Sequence, residues 1–151
     1  MSQFHPVANV EKMAAGTPLN DGDRWDWLIV LREEAVKYLE NGASGVVVTC
    51  SALKKKYRDV IRLASLNDHD VIVHFVYLRA SEDLLLSRVR ARQGHFMKDS
   101  MVRSQFEALE EPTEKEHDVL TVDVSGSLAE VEQLALTAVS QVMAKDLTSH
   151  W

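Results

Sequence analysis

The chain has 151 residues, 46% of them hydrophobic and 26% charged, a balance that excludes disorder and fibre and makes one globular domain the starting expectation. At this length a fold buries roughly 70% of the surface its unfolded chain exposes, enough for a core and for clefts on it. Seventeen Lys and Arg against 23 Asp and Glu leave a net charge of -6 with the six His neutral. That argues against nucleic acid or a membrane surface as partner, because phosphate-backbone affinity needs a basic face whose counterion release drives binding. Any anion site is therefore a local basic pocket.

Cys50 is the single cysteine, so no internal disulfide forms, and the N-terminus lacks the basic start and apolar core of a secretion signal. A reducing cytoplasm is the expected compartment. The longest apolar run, 71–78, is far shorter than a membrane span and carries His74 in its middle. There is no repeat, low-complexity tract or linker, and Pro6, Pro18 and Pro112 are scattered, so residues 1–151 read as a single domain.

In chain order, Pro6 suits the first turn of a short helix and Gly16 the position just past its last. Asn20 reads as a cap, after which Leu28, Leu31, Ala35 and Leu39 recur at helical spacing up to the stop at Asn41-Gly42. The period changes at 45–49, where Val46, Val47 and Val48 predict a strand covered on both faces, as parallel sheets require. Residues 54–66 form the next helix, and 71–78 a second buried strand. Ser81, Glu82 and Asp83 put acceptors and negative charge at the start of a helix running towards Arg92. After the Gly94 break a helix covers 100–109, Pro112 lies in a loop, and 119–124 form a third strand. Ser127 and Glu130 have capping-box spacing ahead of an apolar stripe of Leu128, Val131, Ala135, Ala138 and Val142. Alternating strands and helices imply an α/β fold with a mostly parallel sheet, whose ligands bind beyond the carboxyl ends of the strands.

Three clusters carry chemistry. Cys50-Ser51-Ala52-Leu53-Lys54-Lys55-Lys56-Tyr57-Arg58 sets cations at a helix start, the electrostatically wrong end unless an anion resides there. The plain alternative is a solvated face with lysine stems over apolar neighbours. Arg88, Arg90 and Arg92 carry cations from the last turn of a helix into Gly94-His95-Phe96 and Lys98, a candidate basic lid, although a helix C-terminus favours cations on dipole grounds alone. Phe4-His5-Pro6, Asn9, Glu11-Lys12-Met13 and Pro18 to Arg24 place Lys12 and Arg24 where both can face a small anionic polyol. Taken singly, His5 is a loop or cap residue, Lys12 a solvated one, and Met13, Trp25 and Trp27 are core. One Cys and dispersed His cannot make a structural zinc site, and Ser51 has no glycine elbow, so neither a metal nor a triad is nominated.

In this order and at these separations the three clusters closely resemble gluconate kinases, of the shikimate-kinase and adenylate-kinase-like group of P-loop phosphotransferases. The resemblance runs from His5 to about Val124 and includes Gln105-Phe106-Glu107 and Glu111-Pro112. Arg24-Trp25-Asp26-Trp27-Leu28 is similar to fungal-type members. It implies ATP-dependent phosphorylation of the 6-hydroxyl of D-gluconate, with ATP and Mg2+ as cofactors. Carried over residue by residue, it implies a gluconate pocket of His5, Lys12, Arg24, Lys54 and Arg58, completed by His95 on lid closure and by Gln105. Arg24 suits a carboxylate because its fork pairs with both oxygens. Substrate helices would span about 6–41 and the lid about 90–104. Arg90 and Arg92 would neutralise charge on the transferring phosphoryl group, while Arg88, Arg92, Ser125 and Gly126 would border the nucleotide. Members of the family are often homodimers.

The family begins with a strand, a phosphate loop of form Gly-x-x-x-x-Gly-Lys-[Ser/Thr], a helix and a second strand ending in an acid-any-acid triplet. These strings are not among the 151 residues: Gly42 and Gly45 are followed by valines, and Met1-Ser2-Gln3 stands where the triplet belongs. The expected architecture is thus a three-layer P-loop-type parallel sheet flanked by helices, lacking its first strand, P-loop, first helix and second strand. The expectation is an N-terminally shortened form, inactive alone. Because the phosphate-loop strand lies in the family between those matching 46–49 and 71–78, two inward edges are expected to be unpaired. Each orphaned buried backbone group costs about 1 to 3 kcal/mol, against about 5 to 15 kcal/mol for a whole domain. Two other readings stay open from the residues: a non-catalytic gluconate-binding or regulatory protein, and a kinase of the same fold with another small substrate.

Overall fold

A computed structural model describes residues 4–92 and 99–149. Its elements follow in the order α1 (Val7–Ala14), α2 (Asp21–Glu40), α3 (Lys55–Asn67), β1 (Phe75–Arg79), α4 (Glu82–Ala91), α5 (Asp99–Ala108), β2 (Val119–Asp123) and α6 (Leu128–Ser149). The chain divides into two compact units, Met1–Val73 with Val89–Glu111, and His74–Arg88 with Pro112–Trp151.

The first unit is helical. Pro6 opens α1 with its ring-fixed φ of -53°, and Gly16 turns the chain away at φ 75°. Asn20 caps α2 through a reciprocal box: its side chain accepts from the Asp23 amide at 2.8 Å, and the Asp23 carboxylate accepts from the Asn20 amide at 3.0 Å. Positions 24, 27, 28 and 31 share one face of α2, which buries Arg24, Trp27, Leu28 and Leu31. The helix stops as expected, with Gly42 at φ 96° and the amides of Gly42 and Ala43 folded back onto Leu39 and Tyr38. α3 answers with Tyr57 and Val60, so the core lies in the α2/α3 corner, with Phe4, Ile29, Cys50, Ala52, Leu53 and Ile61 packed around it. Arg32 on α2 donates to the Val60 carbonyl at 3.2 Å and ties the pair.

In the second unit β1 and β2 pair in parallel, Phe75 opposite Val119 through Arg79 opposite Asp123. The Ser127/Glu130 box starts α6, with the Ser127 amide donating to Glu130 at 2.6 Å and the Glu130 amide to Ser127 Oγ at 3.3 Å. α6 lies against β2 through a half-buried stripe that includes Val131, Ala135, Ala138 and Val142. Leu128, at the head of the expected stripe, is exposed.

Three expectations are corrected. Residues 45–49 form no strand: among the described residues nothing pairs with them, and Val47 is 96% exposed. A β-branched run has strand propensity but no ladder without a partner to bond to. The strand expected at 71–78 is β1, shorter and shifted, and is not covered on both faces, since Val76 and Leu78 are exposed. Trp25 is 39% exposed instead of core, because it lies off the buried face that Trp27 occupies.

Candidate functional site

The starts of α2 and α3 and the middle of α1 bring together charged side chains that lie far apart in sequence. Lys12 on α1 holds the Asp23 carboxylate with both oxygens, at 2.8 and 2.9 Å. Asn9, one helical turn before it and buried, donates to the Asp23 carbonyl at 2.8 Å. The Lys12 ammonium and the Asn20 amide therefore hold the Asp23 carboxyl below its usual value.

Asp21, in the first turn of α2, gathers the start of α3. Its carboxylate accepts from Lys54 at 3.0 Å, and also from Lys56 and from the Tyr57 hydroxyl. Those bonds, Lys56 foremost, hold Asp21 far below the ordinary carboxylate range. Burial, helped by the Asp21 bond, pushes the Tyr57 phenol up, so it stays a donor at every physiological pH. Two lysines at a helix N-terminus are unfavourable alone, and Asp21 supplies the compensating charge.

Arg24 directly follows both carboxylates in the first turn of α2 and lies on the buried face of that helix. It is 6% exposed, and its Nε donates to the Leu19 carbonyl at 3.4 Å. Among the described residues no carboxylate lies within ion-pair distance of it, because Lys12 occupies Asp23 and the α3 lysines occupy Asp21. Burial pulls the guanidinium below its ordinary value, and Tyr57, Asp21 and Asp23 resist through space. A buried cation without its own counter-ion is expensive.

Arg58, placed by sequence in the same pocket, is 3% exposed and bonds backbone instead. Its Nη1 donates to the carbonyls of Ala52 at 3.1 Å and Leu53 at 3.2 Å, and its Nη2 to that of Glu110 at 3.1 Å. Glu110 completes the splice: its amide donates to Leu53 at 2.8 Å, and its carboxylate caps α3 by accepting from the Lys55 amide at 2.8 Å. His5 stacks on Trp27 with ring centroids 4.0 Å apart, and burial beside Arg24 keeps its imidazole below the usual pKa. Among the described residues His5 Nδ1 and Trp27 Nε1 are both buried without a hydrogen-bond partner. Gln105 lies half-buried on α5 and makes no hydrogen bond with another described residue.

The remaining sequence candidates lie elsewhere. Arg90 forks onto Asp99, with its Nε 3.0 Å from Oδ2, and so joins the end of α4 to the start of α5. Arg92 is exposed just past α4, and His95 falls outside the described residues. In the second unit Arg88 donates to the carbonyls of Val124 at 2.6 Å and Gly126 at 3.1 Å, gathering Arg88, Ser125 and Gly126 at one turn. Sequence reading gave no role to Asp21, Lys56, Tyr57 or Glu110. The signal for Asp21 was its spacing of three from Arg24, which puts both on one face of α2, whereas Glu110 left none.

Among the described residues no three His, Cys, Asp or Glu side chains converge as a metal site, and no helix is long and apolar enough to cross a membrane. With no phosphate-loop string in the 151 residues, these side chains do not by themselves fit Mg2+ or the β and γ phosphates of a nucleotide, and no step is derived through either.

No protein-family model matches the chain. It is 43% identical over 148 residues to a probable gluconokinase of Schizosaccharomyces pombe, covering 93% of this chain and 72% of that protein. It is 45% identical over 125 residues to the thermoresistant gluconokinase of Escherichia coli, covering 83% of this chain and 68% of that one. Among solved structures, a gluconokinase from Sinorhizobium meliloti superposes with a TM-score of 0.81 at 38% identity, over 97% of this chain and 78% of that one.

Proposed function

The chain belongs to the gluconokinase family, and on that premise we propose that it binds D-gluconate at the starts of α2 and α3 for ATP-dependent phosphorylation of the 6-hydroxyl. The observation that carries this reading is Arg24, a buried guanidinium whose two neighbouring carboxylates are already taken by lysines. A sugar acid brings the missing anion, and the fork of Arg24 pairs with both its oxygens. Lys12 and Lys54, each partly exposed and paired with Asp23 and Asp21, the two carboxylates that act on Arg24 through space, present further donors to the polyol hydroxyls. His5, neutral and with Nδ1 unpartnered among the described residues, accepts or donates one more hydroxyl bond. Arg58 serves the pocket indirectly, by fixing the 52–53 backbone from which Lys54 emerges.

On family likeness, Arg90, Arg92, His95 and Gln105 belong to the closing side, and Arg88, Ser125 and Gly126 to the nucleotide side. In that reaction the phosphoryl group would come from ATP, and the part this chain's own residues play is to hold and orient the acceptor.

Calorimetry on the 151-residue chain tests the binding step. Gluconate is expected to bind and neutral glucitol, the same polyol without the carboxylate, to bind at least about tenfold more weakly, which corresponds to about 1.4 kcal/mol. Arg24→Met is expected to erase that preference, and an unchanged gluconate affinity in the variant overturns the reading. A coupled assay of the same chain is expected to show no turnover, since no phosphate-loop Lys is present, and gluconate-dependent ADP formation overturns that part.

A further inference from the structure

We propose that Asp21 is a positioning residue of this pocket, whose carboxylate gathers Lys54, Lys56 and Tyr57 and holds the Lys54 ammonium beside Arg24 for the sugar acid. The proposal rests on the gluconate reading above and deepens it. Asp21 and Arg24 are three residues apart on α2, so their side chains lie on neighbouring parts of one helical face. Lys54 sits 3.0 Å from Asp21 Oδ1, which also accepts the Tyr57 hydroxyl, while Lys56 takes Oδ2. Lys54 and Lys56 also lie 5.7 and 5.8 Å from the centroid of the Tyr57 ring, so the cations share one anchoring group.

The charges say why an anchor is needed. Among the described residues Asp21 and Asp23 pair with Lys12, Lys54 and Lys56, and Glu110 acts on Tyr57 through space, so four cations, Arg24 included, are set against three carboxylates. That excess attracts an anionic substrate and also pushes the cations apart. Asp23 is committed to Lys12 and to the cap, which leaves Asp21 to restrain the α3 lysines. Without it, Lys54 has a flexible stem, solvent on one side and two cationic neighbours on the other, and it swings out.

Simple electrostatics and positioning predict opposite signs, and that decides the test. Removing a negative charge beside an anion pocket should tighten gluconate binding if Asp21 only contributes potential. If it positions Lys54, Asp21→Asn weakens gluconate at least about tenfold by calorimetry, while Asp21→Glu restores most of the affinity. In a Lys54→Gln background Asp21→Asn then adds little, since the two act through one contact. Binding by Asp21→Asn as tight as the parent's, or tighter, overturns the proposal. A ligand-free arm keeps it separate from the gluconate reading: brief acetic anhydride labelling, read by mass spectrometry, is expected to modify Lys54 several-fold faster in Asp21→Asn than in the parent. Equal labelling overturns the proposal even if gluconate fails to bind, and faster labelling in a parent that binds no gluconate supports the anchor while overturning the substrate.

Discussion

The α2/α3 corner and the β1/β2 pair use similar apolar residues, yet they cover them very differently. In the corner Trp27, Leu28 and Tyr57 are almost wholly buried, and the same helical faces carry Arg24 and Arg58 inward with them. In the strand unit Val76 and Leu78 stay exposed, and no residue of α6 is fully buried among those described. Two helices complete each other's apolar stripes with one crossing, whereas a two-stranded ladder needs further strands to cover its edges. The region that carries Lys12, Arg24 and Lys54 is thus the one with the more deeply buried core, and the buried faces of α2 and α3 stand behind those cations.

The sharpest way to break that contrast is Trp27→Ala. Loss of a fully buried indole is expected to cost about 3 to 5 kcal/mol in denaturant unfolding, and a cost under about 1 kcal/mol would mean that the corner is not the stability centre. Arg58→Met comes next, at about 2 kcal/mol, because a 3% exposed side chain loses its hydrogen bonds to the half-buried carbonyls of Ala52 and Leu53 and to that of Glu110 together. The two capping boxes sharpen the comparison directly. Asn20→Ala is expected to cost about 1 kcal/mol and Ser127→Ala about half as much, with only the former also weakening gluconate, since Asp23 is shared between the cap and Lys12.

A pH series isolates His5. Its pKa is lowered in the folded state, so the folded chain resists the proton that the unfolded chain accepts. The stability it contributes is complete above the unfolded value near pH 6.5 and is lost as pH falls from there towards the folded value. A His5→Gln variant should show a flatter stability curve over that window, and an identical curve would remove the assignment. At the small end, Leu134→Ala on exposed α6 is expected to stay within about 0.5 kcal/mol of the parent.

Much of this was legible in local sequence. Asn20 as a cap, and Ser127 followed by Glu130, announced both capped helices, and Gly16 and Gly42 marked two ends, because these signals act within one turn of chain. The valines at 46–48 misled because a strand is a property of a pair, and their partner is not among the described residues. Lys12, Arg24 and Lys54 were readable as a cationic group. What they rest on was not: Asp21 gathering α3 and Arg58 turning to backbone carbonyls depend on how α2 crosses α3, which periodicity does not specify.

The bond between the Lys55 amide and the Glu110 carboxylate spans 55 residues of sequence. At roughly 5 to 20 residues per second of ribosomal synthesis, the first turn of α3 must wait seconds for the group that caps it. The lysine-bearing bend is therefore among the last parts of its unit to set during translation, and a chain stalled between the two positions carries the basic residues without their final geometry.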